Sequence, residues 1–314
     1  MNIAYSCDNY YVEQTGISII SVCENNKNID NLVFYLISKD ISNDNIACLD
    51  AICRGYDREL IVIDFKDIAY DLDITVVGRH IATIYSKVYF SRIKGLDKII
   101  YLDSDTVVTG SLKELWDINL DGYYLGAVET FAKTSIRKQL GLPVAAPFFN
   151  DGMVVENVAF CRENDLIGQM NKVISDFDGA PPTLSEGALN KICCGKTLFI
   201  SPRWNMMAGL LFFGLKDIDY LAGRLHYEKQ DLYDSIYNPV VIHYLTAFYN
   251  RPWFKSCSHP YKEEYYKYKN ISPWEGTTLK NGGLSLRIRI IKMLINVLGP
   301  KCFDNMRKKV GIVK

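Results

Sequence analysis

Residues 1–6 (MNIAYS) form a short apolar run that breaks at Cys7-Asp8-Asn9, the pattern of a buried strand that delivers a polar loop. Gly16, Ile17, Ile20 and Cys23 then recur at helical spacing, so the first unit reads as strand then helix. The alternation repeats: 32–37 (LVFYLI) predicts a strand, 43–53 a helix and 60–65 (LIVIDF) a third strand. Apolar β-branched runs separated by helical patterns indicate a mainly parallel sheet covered on both faces. Such sheets bind ligands at the carboxyl ends of their strands. Residues 80–93 predict a helix carrying aromatic side chains and Lys87, and 98–102 (KIIYL) a fourth strand that runs straight into Asp103-Ser104-Asp105. Later segments at 123–128, 152–156, 184–194, 197–200 and 240–244 are less regular, with a helix after Asn157. A polar aromatic helix begins near His259, and the last change of character comes at Leu284. No internal repeat or low-complexity linker interrupts the chain.

Composition narrows the class. Lys+Arg and Asp+Glu are both 36, so the formal net charge is zero, and a phosphate polymer lacks the cationic surplus it needs for whole-protein binding. Any basic function is therefore local. At 314 residues the chain can bury roughly three quarters of its unfolded surface and needs no covalent staples. The nine Cys are odd in number and form no C-x-x-C. With no signal peptide or twin-arginine run at the start, the expectation is reduced thiols in a cytoplasmic protein, Cys193 and Cys194 acting as small hydrophobes. No apolar stretch reaches the length of a spanning helix.

The chemistry centres on Asp103 and Asp105. In an extended backbone they project the same way while Ser104 points opposite, giving two hard oxygen ligands for a divalent cation at the exit of a buried strand. Short D-x-D strings are also common in surface turns. Here apolar residues flank the pair on both sides, where unpaired carboxylates are costly to desolvate and a bound metal offsets the cost.

The segment IIYLDSDTVVTGSLKELWDINL resembles the metal-binding core of the family 8 glycosyltransferases, retaining sugar-nucleotide enzymes that include glycogenin and bacterial lipopolysaccharide galactosyl- and glucosyltransferases. IAYSCDNYYVEQTGISI, IYSKVYF, FFNDGMVVEN and VVIHY followed by RPW agree with the family in order, over residues 1 to about 255. The resemblance implies an α/β, GT-A-type, Rossmann-like nucleotide-sugar-binding domain with a mainly parallel mixed sheet over 1–258, and a C-terminal helical, basic amphipathic tail over 259–314. It implies Mn²⁺, or Mg²⁺ in its place, held by Asp103, Asp105 and His243. Ser6, Asp8, Asn9, Tyr11 and Ser104 would hold the nucleoside, and Lys87 and Arg251 the diphosphate. Asn150, Asp151, Gly152 and Glu186 would face the sugar and acceptor, Asn150 and Glu186 as catalytic groups. Read without the family, His243 is a core histidine, Asp8 a helix cap, the Asn150 stretch a loop entering a strand, and Ser185 a cap with Glu186 in the first helical turn.

Three departures from the family pattern stand out. Its acidic residue after the Gly-Ala strand falls at Thr130, with Glu129 one place early. TLSEGALN replaces the common Asp-Gln-Asp, and HYLTAFYNRPW is longer than the usual spacing. A carboxylate at 186 suits either stabilisation of an oxocarbenium-like transition state or a short-lived glycosyl adduct.

In the tail, Leu284, Ile288, Ile291, Ile295 and Leu298 share one helical face, and Ser285, Arg289, Lys292 and Asn296 another, before Arg307-Lys308-Lys309. That suits a helix at an anionic membrane surface, or one packed on the catalytic domain with a basic edge. The expected function is metal-dependent, retaining transfer of galactose or glucose from a UDP-sugar to a cell-surface glycan, lipopolysaccharide, capsule or lipid-linked oligosaccharide acceptor. The expected location is cytoplasmic, peripheral on the inner face of the plasma membrane. Two alternatives are a non-catalytic sugar-nucleotide-binding partner and a sugar nucleotidyltransferase. The second normally needs a Gly-rich basic loop after the first strand, which YSCDNYYVE lacks.

Overall fold

A computed structural model describes residues 1–72 and 82–309. The chain forms two compact units, Met1–Ser104 with Ser111–Ile200, and Asp105–Gly110 with Ser201–Lys314. The expected division at 258 falls inside the second unit.

The first unit is built on β1 (Asn2–Asp8), α1 (Val12–Asn25), β2 (Val33–Lys39), α2 (Asn43–Gly55), β3 (Glu59–Asp64) and β4 (Lys98–Leu102). β1 lies between β2 and β4 and is parallel to both. With both faces covered it shows no polar alternation: Ile3, Ala4, Tyr5 and Cys7 are all buried. The strand also runs past the expected break, because pairing with β2 continues to Asp8 opposite Lys39. α2 starts where Ser42 Oγ accepts the Asn45 amide.

Residues 80–93 were expected to be a helix. Residues 80 and 81 lie outside the described residues, and Ala82–Arg92 is a 3₁₀ helix. The run from Tyr85 to Phe90 is buried nearly all round, so its apolar positions mark no single 3.6-residue face.

The sheet order is β3-β2-β1-β4-β7-β6-β8, completed by β6 (Leu125–Glu129), β7 (Phe149–Asn157) and β8 (Thr197–Phe199). β7 is antiparallel to its neighbours β4 and β6, making a mixed sheet. Asn150, Asp151 and Gly152 therefore belong to a strand, not to the loop before one, because pairing is carried past Leu102 by the Asp103 amide donating to Gly152 O at 2.7 Å. From β1 the order runs outward to β3, and β4 joins on the other side. That reversal falls at the carboxyl ends of β1 and β4, where Asp8 and Asp103 stand and where sheets of this kind bind ligands. The core below holds Tyr85, Tyr89, Phe90, Tyr101 and Phe149.

The second unit contains a small sheet, β5 (Thr106–Val108), β10 (Val241–His243) and β9 (Met206–Met207), in the order β5-β10-β9. Its helices include Ala208–Lys216, Lys229–Tyr237, Lys262–Lys269, Leu286–Leu298 and Pro300–Lys309. Phe212 stacks on Phe248 at 4.2 Å, and Phe213 meets Phe248 edge-on at 5.1 Å.

The tail helix Leu286–Leu298 reverses part of the expected pattern. Ile295 is buried, while Lys292, assigned to the basic stripe, turns inward: it donates to Phe248 O at 2.8 Å and lies 4.4 Å from the centre of the Tyr249 ring. Leu286, Ile290, Met293 and Val297 form an exposed apolar stripe at i, i+4, i+7 and i+11, and Leu298 of the expected face is exposed as well. Residues 310–314 of the expected tail lie outside the described residues. Among the described residues, no helix is long and apolar enough to cross a membrane.

Candidate active site

Asp103 and Asp105 occupy the turn between β4 and β5, where the chain leaves the large sheet for the small one; they are not in extended strand as expected. Ser104 nonetheless turns away to α1: Thr15 Oγ1 bonds its hydroxyl at 2.8 Å, and Ser104 Oγ reaches Ser6 O at 3.5 Å.

In the first unit, Asp103 Oδ1 accepts the Tyr101 hydroxyl at 2.8 Å and lies 4.0 Å from Lys87 Nζ. Lys87 is buried. Its ammonium contacts Asp151 Oδ2 at 2.9 Å and donates to Asp151 O at 3.0 Å. Burial alone would lower the pKa of this amine, but Asp151 and Asp103 hold it above the usual lysine range. Asn150 donates from Nδ2 to Glu186 Oε2 at 2.7 Å, and its Oδ1 accepts the Gly152 amide at 3.2 Å.

Two expected caps are absent. Asp8 does not cap α1, since its Oδ1 accepts the Tyr10 amide at 2.9 Å, within the turn. Asn9 Oδ1 accepts from Ser42 N and Asn45 Nδ2, so it ties that turn to α2, and Tyr11 is half-buried where α1 begins. Ser185 begins the helix Ser185–Ile192 without capping it and bonds Asp151 instead. Of the residues at the departures, Glu129 is buried in β6, and the Thr130 amide donates to Phe148 O at 2.7 Å.

In the second unit, buried Asp105 meets half-buried Arg251 and buried His243. His243 Nε2 lies 3.1 Å from Asp105 Oδ1, and Arg251 Nη2 donates to Asp105 Oδ2 at 3.0 Å. The opposite ring nitrogen, Nδ1, lies 3.0 Å from Asn205 Oδ1. Burial works to raise the Asp105 pKa, yet His243 and Arg251 hold the carboxyl below its ordinary range.

Tyr101, Asn205 and the Ser185–Asp151 bond were missed from sequence. Tyr101 carried a signal, being two residues before Asp103 at the end of a strand. Asn205 carried none, because its partner is 38 residues away.

A doubly wound sheet with an acidic turn at its reversal point defines the α/β class that binds nucleotides at strand carboxyl ends. The fold is of the GT-A type: a galactosyltransferase LgtC, solved in complex with donor and acceptor sugar analogs, aligns with a TM-score of 0.72 at 22% identity, covering 87% of this chain and 96% of that one. Residues 2–257 match Glycosyl transferase family 8, and the chain belongs to that family of glycosyltransferases. Its relatives include the lipopolysaccharide 1,2-glucosyltransferase of Escherichia coli (strain K12), 25% identical over 88% of this chain and 79% of that protein. Another is the lipopolysaccharide 1,3-galactosyltransferase of Salmonella typhimurium (strain LT2), 24% identical over 92% and 83%. Membership implies a nucleotide-sugar donor and a glycan acceptor, and the Asp-x-Asp motif at 103–105 suggests a divalent metal.

Proposed function

We propose that this glycosyltransferase moves galactose or glucose from a UDP donor, with retention at C1, to a cell-surface glycan, lipopolysaccharide or capsule acceptor. Asp103, Asp105 and His243 hold Mn²⁺, or Mg²⁺ in its place. One observation carries the reading: the His243 ring lies between two oxygen acceptors. With the Nδ1 proton kept on Asn205 Oδ1, loss of the Nε2 proton would turn that nitrogen's lone pair toward the Asp105 carboxylate. A cation ligated by both resolves that opposition, and an outer hydrogen bond on the far nitrogen is the usual support of a metal-bound imidazole. Asp103, two residues earlier in the chain, would add the second carboxylate of the donor set. A divalent cation bound there supplies positive charge to the oxygens of the departing nucleoside diphosphate.

The chain's own residues do the rest. Asp8 and Tyr11 hold the nucleoside, with Ser6, Asn9 and Ser104 shaping the turn around it. Arg251 and Lys87 set positive charge toward the diphosphate. Asn150 holds the Glu186 carboxylate by one oxygen, so that Glu186 presents negative charge to the reacting sugar beside Asp151 and Gly152. The glucosyl and galactosyl activities named for the two relatives support a hexose. The helix Leu286–Leu298 rests the enzyme on the inner face of the plasma membrane through Leu286, Ile290, Met293 and Val297, with Arg287 and Arg289 beside them.

The test is release of free nucleoside diphosphate from a panel of sugar nucleotides. UDP should be released from UDP-galactose or UDP-glucose with Mn²⁺ and not after chelation. Nucleotide binding without release from any donor would overturn the reading.

A further inference from the structure

Asp151 sits at the middle of a buried relay. Its Oδ2 accepts the Ser185 hydroxyl at 2.6 Å and contacts the Lys87 ammonium at 2.9 Å. Ser185, Lys87 and Asp151 are 1%, 4% and 6% exposed, so water does not replace these partners. Lys87 thus rests on Asp151, over the Tyr101 ring at 4.7 Å, and stays 4.0 Å from Asp103 Oδ1. An ammonium released from Asp151 would have Asp103 as its nearest alternative partner, and the resulting ion pair would compete with a metal for that carboxylate.

The backbone around Ser185 is built to hold this arrangement. Thr183 and Leu184 both have positive φ, 59° and 55°, and neither is glycine. Consecutive residues in that region persist only where their surroundings over-determine them. Here two adjacent β7 side chains grip two adjacent helix residues, Asp151 with Ser185 and Asn150 with Glu186.

We propose that Asp151 and Ser185 are positioning residues for Asp103: Ser185 fixes the Asp151 carboxylate, which retains the Lys87 ammonium and keeps Asp103 available to a divalent cation. The proposal rests on the reading of Asp103 as a cation ligand.

The experiment is titration of the full, metal-free chain with Mn²⁺ alone, followed by electron paramagnetic resonance, with thermal melts as a check on folding. Ser185→Ala and Asp151→Asn should each raise the Kd about tenfold or more, the range typical of lost outer-shell partners. Ser185→Thr should stay near the parent value. Adding Lys87→Met to Asp151→Asn should bring the Kd back toward the parent, which a merely structural role for Asp151 would not produce. Should Asp151→Asn fail to fold, the Ser185→Ala and Ser185→Thr pair decides. An unchanged Kd in Ser185→Ala, or no recovery in a folded Lys87→Met, Asp151→Asn double variant, overturns the proposal. An unchanged Kd in Asp103→Asn instead overturns the ligand reading beneath it.

Discussion

Glu156 lies inside the core on β7, 3% exposed, with Oε1 lacking a hydrogen-bond partner among the described residues. Burial pushes its carboxyl up to about 8, an effect that contact with Cys161 and the charge of Lys87 reduce without cancelling. The unfolded chain loses this proton near the ordinary glutamate value of about 4.3. Between the two values the native state keeps a proton that the unfolded state has given up, so stability falls as pH rises through that window. A Glu156→Gln variant keeps the shape and removes the titration. Its Tm should exceed that of the parent by at least about 4 °C at pH 8, where a few kcal/mol are at stake, and by much less at pH 5. Parallel Tm profiles for the two proteins between pH 5 and 8 would show that Glu156 is ionised in the folded state.

At the scale of an element, the turn before the helix Ser185–Ile192 depends on Gly187. A Cβ there would lie 1.8 Å from the Pro182 carbonyl oxygen, a backbone atom that cannot swing aside. Gly187→Ala should therefore cost roughly 1–3 kcal/mol, as overpacking of a tight site does. It should also displace Ser185 and Glu186 together. The expected signature is a kcat loss larger than the drop in Tm alone would cause, measured on the metal-saturated enzyme at a temperature where the variant is fully folded. A variant with lowered Tm and parent kcat would show that the turn serves stability only.

At the scale of the whole molecule, zero net charge leaves no long-range attraction to an anionic surface, so any membrane contact has to come from local groups. The Leu286–Leu298 helix offers them on one side: Leu286 and Val297 are 70% and 77% exposed, and Arg287 and Arg289 flank the stripe. Co-sedimentation with phosphatidylglycerol-containing vesicles should fall several-fold in the Leu286→Asp, Val297→Asp double variant. It should fall with added salt in the parent, since each arginine near the surface is worth about 1 kcal/mol. Ile288→Asp, on the half-buried face, should instead lower Tm. Equal sedimentation of the parent and the double variant would remove the stripe from the contact.

The sequence alone determined the β1-α1-β2-α2-β3 alternation and the strand 98–102 running into the acidic pair, because periodicity and turn chemistry act over a few residues. The family was legible for the same reason: its motifs are short strings in a set order. Tertiary structure decided what each group touches. His243 reaches Asp105 across 138 residues, and Ser185 reaches Asp151 across 34. The first follows from the register of β10 against β5 and the second from the packing of the helix Ser185–Ile192 on β7, neither of which local pattern encodes. The tail makes the same point, since its sequence carries two apolar stripes and only packing chose which one to bury. A hydrophobic face announces that it wants a cover; the cover itself is supplied by residues far away along the chain.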